Sequence, residues 1–211
     1  NEIAGGYTLL IKPSGAPRTI TGSINGALIR LNGADGVTLN GSTTGALADA
    51  VGGNPALREL TIQNTNTGTS AVVIAVQSGT NGAQNNTIKN VNLLGQDPTT
   101  TLLGISLGGN TPGTVGTDND GNRVENCSVK RAIFGIYSAG VSAANPNTGT
   151  VITRNDLSAT TTDRIRRVGI LVFNDDGVQI TENSARAIHT NERAHALRLR
   201  AAPQGLPTTL R

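Results

Sequence analysis

The sequence has few of the residues on which catalytic sites, disulfide frameworks and membrane spans depend. Its 211 residues include one cysteine, two histidines, four Tyr and Phe side chains, and neither methionine nor tryptophan. A single cysteine excludes an internal disulfide, and no apolar run approaches the ~20 residues of a transmembrane helix, which predicts no membrane span. Cys127 follows an alternation of apolar and polar residues, a pattern typical of a small buried hydrophobe and not of a nucleophile.

The formal charge of +3 belongs to one end of the chain. Residues 184–211 contain five arginines and one glutamate, whereas the rest of the chain contains 12 basic and 13 acidic residues. Outside that end, Arg164, Arg166 and Arg167 form a basic group, and no aromatic residue follows them until Phe173. Nucleic-acid binding favours basic residues combined with aromatic ones, so the sequence predicts no nucleic-acid partner.

A phrase made of an apolar residue, one to three further residues and then asparagine recurs along the chain. Glycine and asparagine, which favour turns, are abundant in these segments, and β-branched residues flank them. With Leu39, Ile62, Ile88, Val124, Ile152 and Ile180 as anchors, the spacings are 23, 26, 36, 28 and 28 residues. The copies are GVTLNGS (36–42), ELTIQNTN (59–66), NNTIKNVNLLG (85–95), NRVENCSV (122–129), TVITRNDLS (150–158) and GVQITENS (177–184).

A second phrase alternates with the first, and three of its four copies contain a glycine between aliphatic residues. The spacing is too short for a propeller blade and lacks helical periodicity. We therefore expect an all-β chain: a single right-handed parallel β-helix solenoid of about six or seven rungs, with two or three short strands per rung. The copies of the second phrase are AVVIAVQSG (71–79), LLGISLGG (102–109), IFGIYSAG (133–140) and VGILVFND (168–175).

The recurring asparagines have a structural interpretation. Asparagine tolerates the left-handed backbone conformation that a corner between strands requires, and stacked amides can bond to one another from rung to rung. We expect these residues to be turns that stabilise the stack and not a binding site. The predicted asparagine turns are Asn40, Asn64, Asn90, Asn126, Asn155 and Asn183.

Residues 28–42, 60–95 and 122–140, which carry both phrases in alternation, resemble the right-handed parallel β-helix repeats of large secreted bacterial surface proteins. These repeats share the pectin-lyase-like fold, and the resemblance covers roughly residues 5–184. It implies a parallel β-helix but no single function, because that fold carries lyases, hydrolases, adhesins and scaffold repeats.

The hypothesis of a catalytic site depends on the carboxylates of Asp175 and Asp176, with the guanidinium group of Arg164 or Arg167 beside them. Paired carboxylates can act as general acid and base on a polysaccharide. Adjacent residues of a strand point to opposite faces, however, and the pair precedes Gly177 as a turn would. The Gly-His-Gly and Arg-Ile-Lys phrases of the polysaccharide hydrolases are also missing from this sequence. We therefore favour a turn and expect no catalytic site.

Asp118, Asp120 and Asn122 alternate within the segment TDNDGN, which makes calcium the one cofactor that the sequence suggests. Oxygen ligands at alternate positions can bind Ca²⁺. The glycine falls too early for an EF-hand loop and no bidentate glutamate follows, so a solvated loop is the favoured interpretation.

The chain is expected to divide into a β-helix over residues 1–184 and a non-repeat tail over 185–211. From Ala185 the sequence is rich in alanine, arginine and leucine, and residues 191–202 predict a short helix that ends before Pro203. That helix would cap the open end of the solenoid, or the tail would be partly disordered.

These observations favour a non-catalytic structural or adhesive segment of a larger bacterial surface protein, located outside the cell or at its surface. The alternative is a polysaccharide lyase or glycoside hydrolase that uses the carboxylates and arginines on one face. The expected partners are glycans or other surface proteins, and the open ends of the helix favour pairing with a second copy.

Overall fold

The computed structural model describes residues 6–44 and 50–186 and, for the backbone alone, residues 195–200. Within these residues the only helical elements are two 3-10 turns, Pro55–Leu57 and Thr161–Asp163. The strands in chain order are β1 (Leu9–Ile11), β2 (Arg18–Gly22), β3 (Ala27–Asn32), β4 (Val37–Asn40), β5 (Leu60–Asn64), β6 (Val72–Gln77), β7 (Thr87–Lys89), β8 (Val91–Leu94), β9 (Leu103–Gly108), β10 (Arg123–Glu125), β11 (Ser128–Lys130), β12 (Ala132–Ala139), β13 (Asn147–Thr148), β14 (Val151–Thr153), β15 (Asp156–Leu157), β16 (Ile165–Phe173), β17 (Asp175–Asp176), β18 (Gln179–Thr181), β19 (Ser184–Ala185) and β20 (His195–Arg200).

These strands form three six-stranded sheets in which all neighbouring strands are parallel. The first sheet has the order β1-β4-β7-β10-β14-β18, the second β2-β5-β8-β11-β15-β19, and the third β3-β6-β9-β12-β16-β20. β13 and β17 pair separately, also in parallel. Apart from these two, each sheet takes every third strand of the chain. The predictions of an all-β chain and of parallel strands are confirmed.

The core consists of columns of aliphatic side chains at matching register positions, one column from each sheet. All of these side chains are at most 4% exposed and belong to one apolar cluster. Burial of this apolar surface is the main favourable contribution to folding. The columns are Leu39, Ile88, Val124 and Ile152 in the first sheet, Ile62, Leu93 and Val129 in the second, and Ile74, Ile105, Ile136 and Ile170 in the third.

Five of the six repeat anchors lie in the first sheet, but Ile62 lies in β5 of the second sheet. The placement of ELTIQNTN in the same position as the other copies was therefore wrong. Strands of the first and second sheets have the same alternation of apolar and polar residues, and sequence pattern alone does not separate them.

The second repeated phrase forms β6, β9, β12 and β16 of the third sheet, and its glycines have a packing role. A Cβ atom on Gly104 would lie 2.2 Å from Cγ1 of Val129, and one on Gly135 would lie 2.3 Å from Cδ2 of Leu157. Side chains of the second sheet therefore pack directly against the backbone of the third, which leaves no room for a side chain at either glycine.

Residues 195–200 form strand β20, which pairs in parallel with β16, whereas the sequence predicted a helix over 191–202. For these six residues the helix prediction is wrong. Leucine alternates with arginine over residues 197–200, which fits the strand period of two, and pairing with the edge of β16 favours the strand. The remaining residues of the predicted tail from 187 onwards lie outside the described residues.

Candidate ligand-binding cleft

Three of the four Tyr and Phe side chains of the chain come together on the outer face of the third sheet. Tyr137 follows the core residue Ile136 and pairs in register with Leu171, two residues before Phe173, so Tyr137 and Phe173 project from the face opposite the core. Their ring centroids are 6.1 Å apart with a tilt of 57°, a favourable arrangement for an aromatic pair.

These rings line a cleft of about 480 Å³, a volume suited to a small ligand. Most of the lining is apolar, as in typical ligand sites. The lining residues are Leu102, Leu103, Pro112, Gly113, Val115, Phe134, Tyr137, Leu171, Phe173 and Asn174.

One wall of the cleft is the loop of residues 109–116, which is the first part of the connection from β9 to β10 and lies against the third sheet. The Gly113 amide donates a hydrogen bond to Oγ of Ser106 (3.3 Å), and the Gly116 amide donates to the Ala139 carbonyl (2.9 Å). Within the loop the Gly109 amide donates to the Thr114 carbonyl (2.9 Å). These bonds fix the loop backbone, so the cleft is formed without a ligand.

The lining of the cleft offers a surface for contact and little for proton transfer. Among the ten lining residues, all within the described part of the chain, Tyr137 alone has a titratable side chain. Burial raises the pKa of Tyr137, so its hydroxyl stays protonated at neutral pH. At the other polar position, Nδ2 of Asn174 donates to the Gly140 carbonyl (3.2 Å). The arrangement therefore suits binding of an uncharged surface.

The predicted carboxylate pair lies near the cleft in sequence, but neither residue lines it. Asp175 accepts a hydrogen bond from Oγ of the buried Ser138 (2.5 Å), whereas Asp176, the next residue of β17, is exposed. Burial raises the pKa of Asp175, the charge of Asp120 raises it further, and the hydrogen bond from Ser138 opposes this rise. The two carboxylates thus point to opposite faces of the strand, as adjacent strand residues do.

Arg164 and Arg167 lie at the opposite end of β16 from this pair. Arg164 immediately precedes the strand and donates from Nη1 to the Thr161 carbonyl (2.7 Å). At 3.3 Å per residue, the six steps from Arg167 to Phe173 extend about 20 Å. The structure therefore does not bring the predicted arginines and carboxylates into one site.

The three residues suggested as calcium ligands lie in different environments. Asn122 is buried, its Oδ1 accepts from the Asn86 amide (2.9 Å), and its Nδ2 donates to the Ala83 and Asn119 carbonyls. Asp118 is exposed and Oδ1 of Asp120 accepts from the Thr148 amide (2.7 Å). Over residues 6–44 and 50–186, no three His, Cys, Asp or Glu side chains are placed to hold a metal ion.

Three of the predicted asparagines form a continuous column of amides at the corner between the first and second sheets. Nδ2 of Asn126 donates to Oδ1 of Asn90 (2.7 Å), and Nδ2 of Asn90 donates to Oδ1 of Asn40 (2.7 Å). Asn90 and Asn126 have φ values of 59° and 48°, the left-handed conformation that asparagine tolerates.

Asn90 and Asn126 directly follow β7 and β10 of the first sheet. After the next two strands of that sheet, β14 and β18, the asparagine comes one residue later. Arg154 and Glu182 hold the left-handed position there, with φ of 56° and 54°. Asn155 instead accepts from the Cys127 amide at its Oδ1 (2.8 Å) and donates from Nδ2 to Oδ1 of Asn183 (2.9 Å). The expectation that every predicted asparagine supplies the left-handed residue is therefore wrong for Asn155 and Asn183, which bond to backbone and to each other. Asn40 and Asn64 do not have a positive φ either.

Asn64 serves a different corner, between the second and third sheets. Its Nδ2 donates to the carbonyls of Ile24 (2.9 Å), Gly26 (3.1 Å) and Val72 (2.9 Å). This separate role follows from the position of Ile62 in the second sheet.

Cys127 is fully buried, and burial raises the pKa of its thiol to about 12, so its interpretation as a small buried hydrophobe is confirmed.

Sequence reasoning missed the cleft because its aromatic residues are far apart in the chain. The signal was present in IFGIYSAG and VGILVF, which place Tyr137 and Leu171 at the same distance after their glycines.

No family model, curated protein or solved structure matches this chain. Nowhere in the described residues is there a helix with the length and apolar character needed to cross a membrane.

Proposed function

We propose that this chain is a non-catalytic structural or adhesive segment that holds a saccharide in the aromatic cleft. The observation that supports this is the convergence of Phe134, Tyr137 and Phe173 in a molecule with only one other Tyr or Phe. The C–H face of a sugar ring carries partial positive charge and packs well on the negative face of an aromatic ring. The lining holds no carboxylate or imidazole that would cleave such a ligand.

We also propose that the three sheets wind as a single right-handed parallel β-helix of six rungs, about 25 Å long. The support is the use of every third strand by each sheet, since such an order requires the chain to pass the three sheets in rotation. The right-handed sense agrees with the strong preference of parallel crossover connections. A rod of this kind presents one flat outer face per sheet, and the cleft lies on one of them.

The proposed location is the surface of a bacterial cell or the medium around it, with glycans as partners. This part of the proposal rests on the resemblance of the repeats to those of secreted surface proteins. In that setting a rigid rod with a preformed cleft would hold a sugar chain without processing it.

The experiment that tests the proposal measures binding and cleavage together. The chain is titrated with short oligosaccharides of neutral, uronic-acid and sulfated types by calorimetry, and each mixture is then analysed for chain shortening. We expect binding without cleavage, and a loss of affinity in Phe134→Ala of about tenfold or more, as expected when an aromatic contact is removed from a binding site.

Tyr7→Ala is the matched control, because Tyr7 is the aromatic residue outside the cleft and is 73% exposed. It should bind as the unmodified chain does. Cleavage that disappears in Asp175→Asn or Asp176→Asn would instead support the lyase or hydrolase alternative. Absence of binding to every saccharide tested would refute the proposed function.

A further inference from the structure

The aromatic cleft has an aromatic side and an aliphatic side, because it extends over three neighbouring strands and a loop. β12 and β16 supply the rings of Phe134, Tyr137 and Phe173. On the other side of β12 from β16, β9 and the loop of residues 109–116 supply only apolar side chains to the lining. We call these residues the aliphatic side: Leu102 and Leu103 at the start of β9, and Pro112 and Val115 in the loop.

The two halves of the aliphatic side lie against each other. A Cβ atom on Gly113 would lie 3.6 Å from Cδ1 of Leu103 and 3.7 Å from Cδ2 of Leu102, which are ordinary contact distances. The loop is therefore packed against both leucines. Val115 is nonetheless 47% exposed and Leu102 is half-buried, so apolar surface on this side is open to a ligand.

The polar side chains of the lining lie away from the aliphatic side. Among the ten lining residues, only Tyr137 and Asn174 have polar side chains; the first is in β12 and the second directly follows β16. A ligand hydroxyl on the aliphatic side would lose hydrogen bonds to water without gaining a side-chain partner, which costs free energy. A methyl group there would instead remove apolar surface from water.

From this division we infer that the sugar held in the cleft is a 6-deoxyhexose, in which a methyl group replaces the exocyclic hydroxymethyl group of an ordinary hexose. The inference rests on the proposed function and adds the class of sugar to it. The C–H face of the ring packs on the aromatic side, and the methyl group packs on the aliphatic side. The ring hydroxyls point towards the solvent, where they keep their hydrogen bonds to water.

An N-acetyl sugar also carries a methyl group, but its amide N–H and C=O enter the cleft together with that group. The one carboxamide of the lining, that of Asn174, already donates from Nδ2 to the Gly140 carbonyl (3.2 Å). An acetamido group turned towards the aliphatic side therefore leaves two polar atoms without a side-chain partner, which disfavours it.

An alkyl chain fits the cleft less well than a deoxy sugar, because the cleft is open to solvent. Hydrophobic stabilisation scales with the apolar area that is removed from water. Val115 is largely exposed and Phe173 is only half-buried, so a chain lying in the cleft would keep one side in water. A sugar uses such an opening, because its outward face carries hydroxyls.

The test compares methyl glycosides in pairs that have the same stereochemistry and differ only at the exocyclic carbon. The pairs are L-rhamnose with L-mannose, L-fucose with L-galactose, and 6-deoxy-D-glucose with D-glucose. Affinities are measured by NMR titration, with the methyl glycoside of N-acetyl-D-glucosamine and 1-octanol as further probes. We expect the deoxy member of at least one pair to bind about tenfold or more tightly than its partner, the discrimination that an apolar pocket achieves for one small group.

Val115→Thr should reduce this preference about threefold or more, because it places a hydroxyl on the aliphatic side that can bond to a hydroxymethyl group. Val115 is exposed enough for the change to leave the fold intact. Val51→Thr is the matched control, since it makes the same change at a residue that is 62% exposed and does not line the cleft. It should leave the preference unchanged.

Equal affinity within every pair would overturn the inference and leave the proposed function standing. Binding of other saccharides but of none of these glycosides, tighter binding of the N-acetyl glycoside than of every deoxy sugar, or an unchanged preference in Val115→Thr would have the same result. Tighter binding of 1-octanol than of every glycoside would show that the cleft holds alkyl chains, and would overturn the inference and the proposed function together.

Discussion

At the scale of single residues, asparagine performs two separable tasks in this chain. Asn90 and Asn126 provide left-handed backbone at a corner, and their amides also connect successive strands of the stack. Asn155 and Asn183 keep only the second task, since Arg154 and Glu182 take over the left-handed position. The sequence predicts the presence of these corners but not which residue of each corner is left-handed. A shift of the asparagine by one residue leaves the pattern of residue types almost unchanged.

Substitution of Asn90 tests both tasks. Asn90→Leu removes two inward hydrogen bonds and forces leucine into the left-handed region, so we expect a loss of about 2–5 kcal/mol in the free energy of unfolding. Asn90→Gly removes the same bonds without the backbone strain and should lose about 1–3 kcal/mol. Urea unfolding measures both values.

Asn92→Leu serves as the comparison, because Asn92 lies outside the column, is only half-buried, and donates from Nδ2 to the Arg58 carbonyl (2.8 Å). Its effect should be smaller than that of Asn90→Leu. Near-zero effects for both Asn90 variants would show that the amide column does not stabilise the fold.

Asp175 predicts a dependence of stability on pH. Because burial raises its pKa in the folded chain, the native state holds this proton more tightly than the unfolded state does. Its contribution to stability is therefore greatest below about pH 4, the unfolded pKa, and falls as pH rises through the folded pKa. Asp175→Asn removes the buried charge while its amide can still bond to Ser138.

We expect Asp175→Asn to increase the free energy of unfolding at about pH 7 and to change it little at about pH 3. Urea titrations of variant and unmodified chain at the two pH values give the difference directly, so the opposite contributions of Glu125 and Asp163, whose pKa values are lowered, cancel. An equal effect at both pH values would contradict burial of the charged carboxyl.

At the scale of elements, the third sheet forms the cleft in which we propose that a ligand binds. Its glycines admit side chains of the second sheet on the inner face, and its aromatic residues gather on the outer face. The sequence predicts β12 and β16 as strands, but the cleft also requires the loop of residues 109–116 to lie against them. That contact depends on Ser106 and Ala139, which no local pattern singles out.

Gly104→Ala tests the close packing of the two sheets. The added methyl group would meet Cγ1 of Val129 at 2.2 Å, and we expect a loss of about 1–3 kcal/mol from overpacking. In the background of Val129→Ala the same change should cost less, because the Cγ1 atom is gone and only the Gly135 carbonyl oxygen, 2.8 Å from the added carbon, remains as a close contact. Thermal or urea unfolding of the four chains of this cycle measures the coupling, and strictly additive effects would contradict direct contact.

At the scale of the whole molecule, the end of the stack formed by β1 and β2 is apolar. Nine large hydrophobic side chains are exposed in the described part of the chain, and six of them lie between residues 7 and 24. Each of β1, β2 and β3 is also the edge strand of its sheet, with one row of backbone groups unpaired to any strand described here. This end is where the sequence-based expectation of pairing with a second copy applies.

Sedimentation at increasing concentration tests that pairing. We expect reversible association that weakens in Leu10→Lys, since Leu10 is 56% exposed on β1. Val51→Lys changes a residue that is 62% exposed away from β1 and β2 and should leave association unchanged. A strict monomer at all concentrations would show that this end does not self-associate.

The central claim, that the aromatic cleft binds a saccharide, can be observed directly by proton NMR of the aromatic region. The chain contains only two tyrosines, two phenylalanines and two histidines, so this region of the spectrum holds few signals. During titration with the oligosaccharide that binds most tightly, we predict shifts in the ring signals of Phe134, Tyr137 and Phe173, while Tyr7 stays unchanged. Unchanged cleft signals under conditions where calorimetry records binding would contradict the claim.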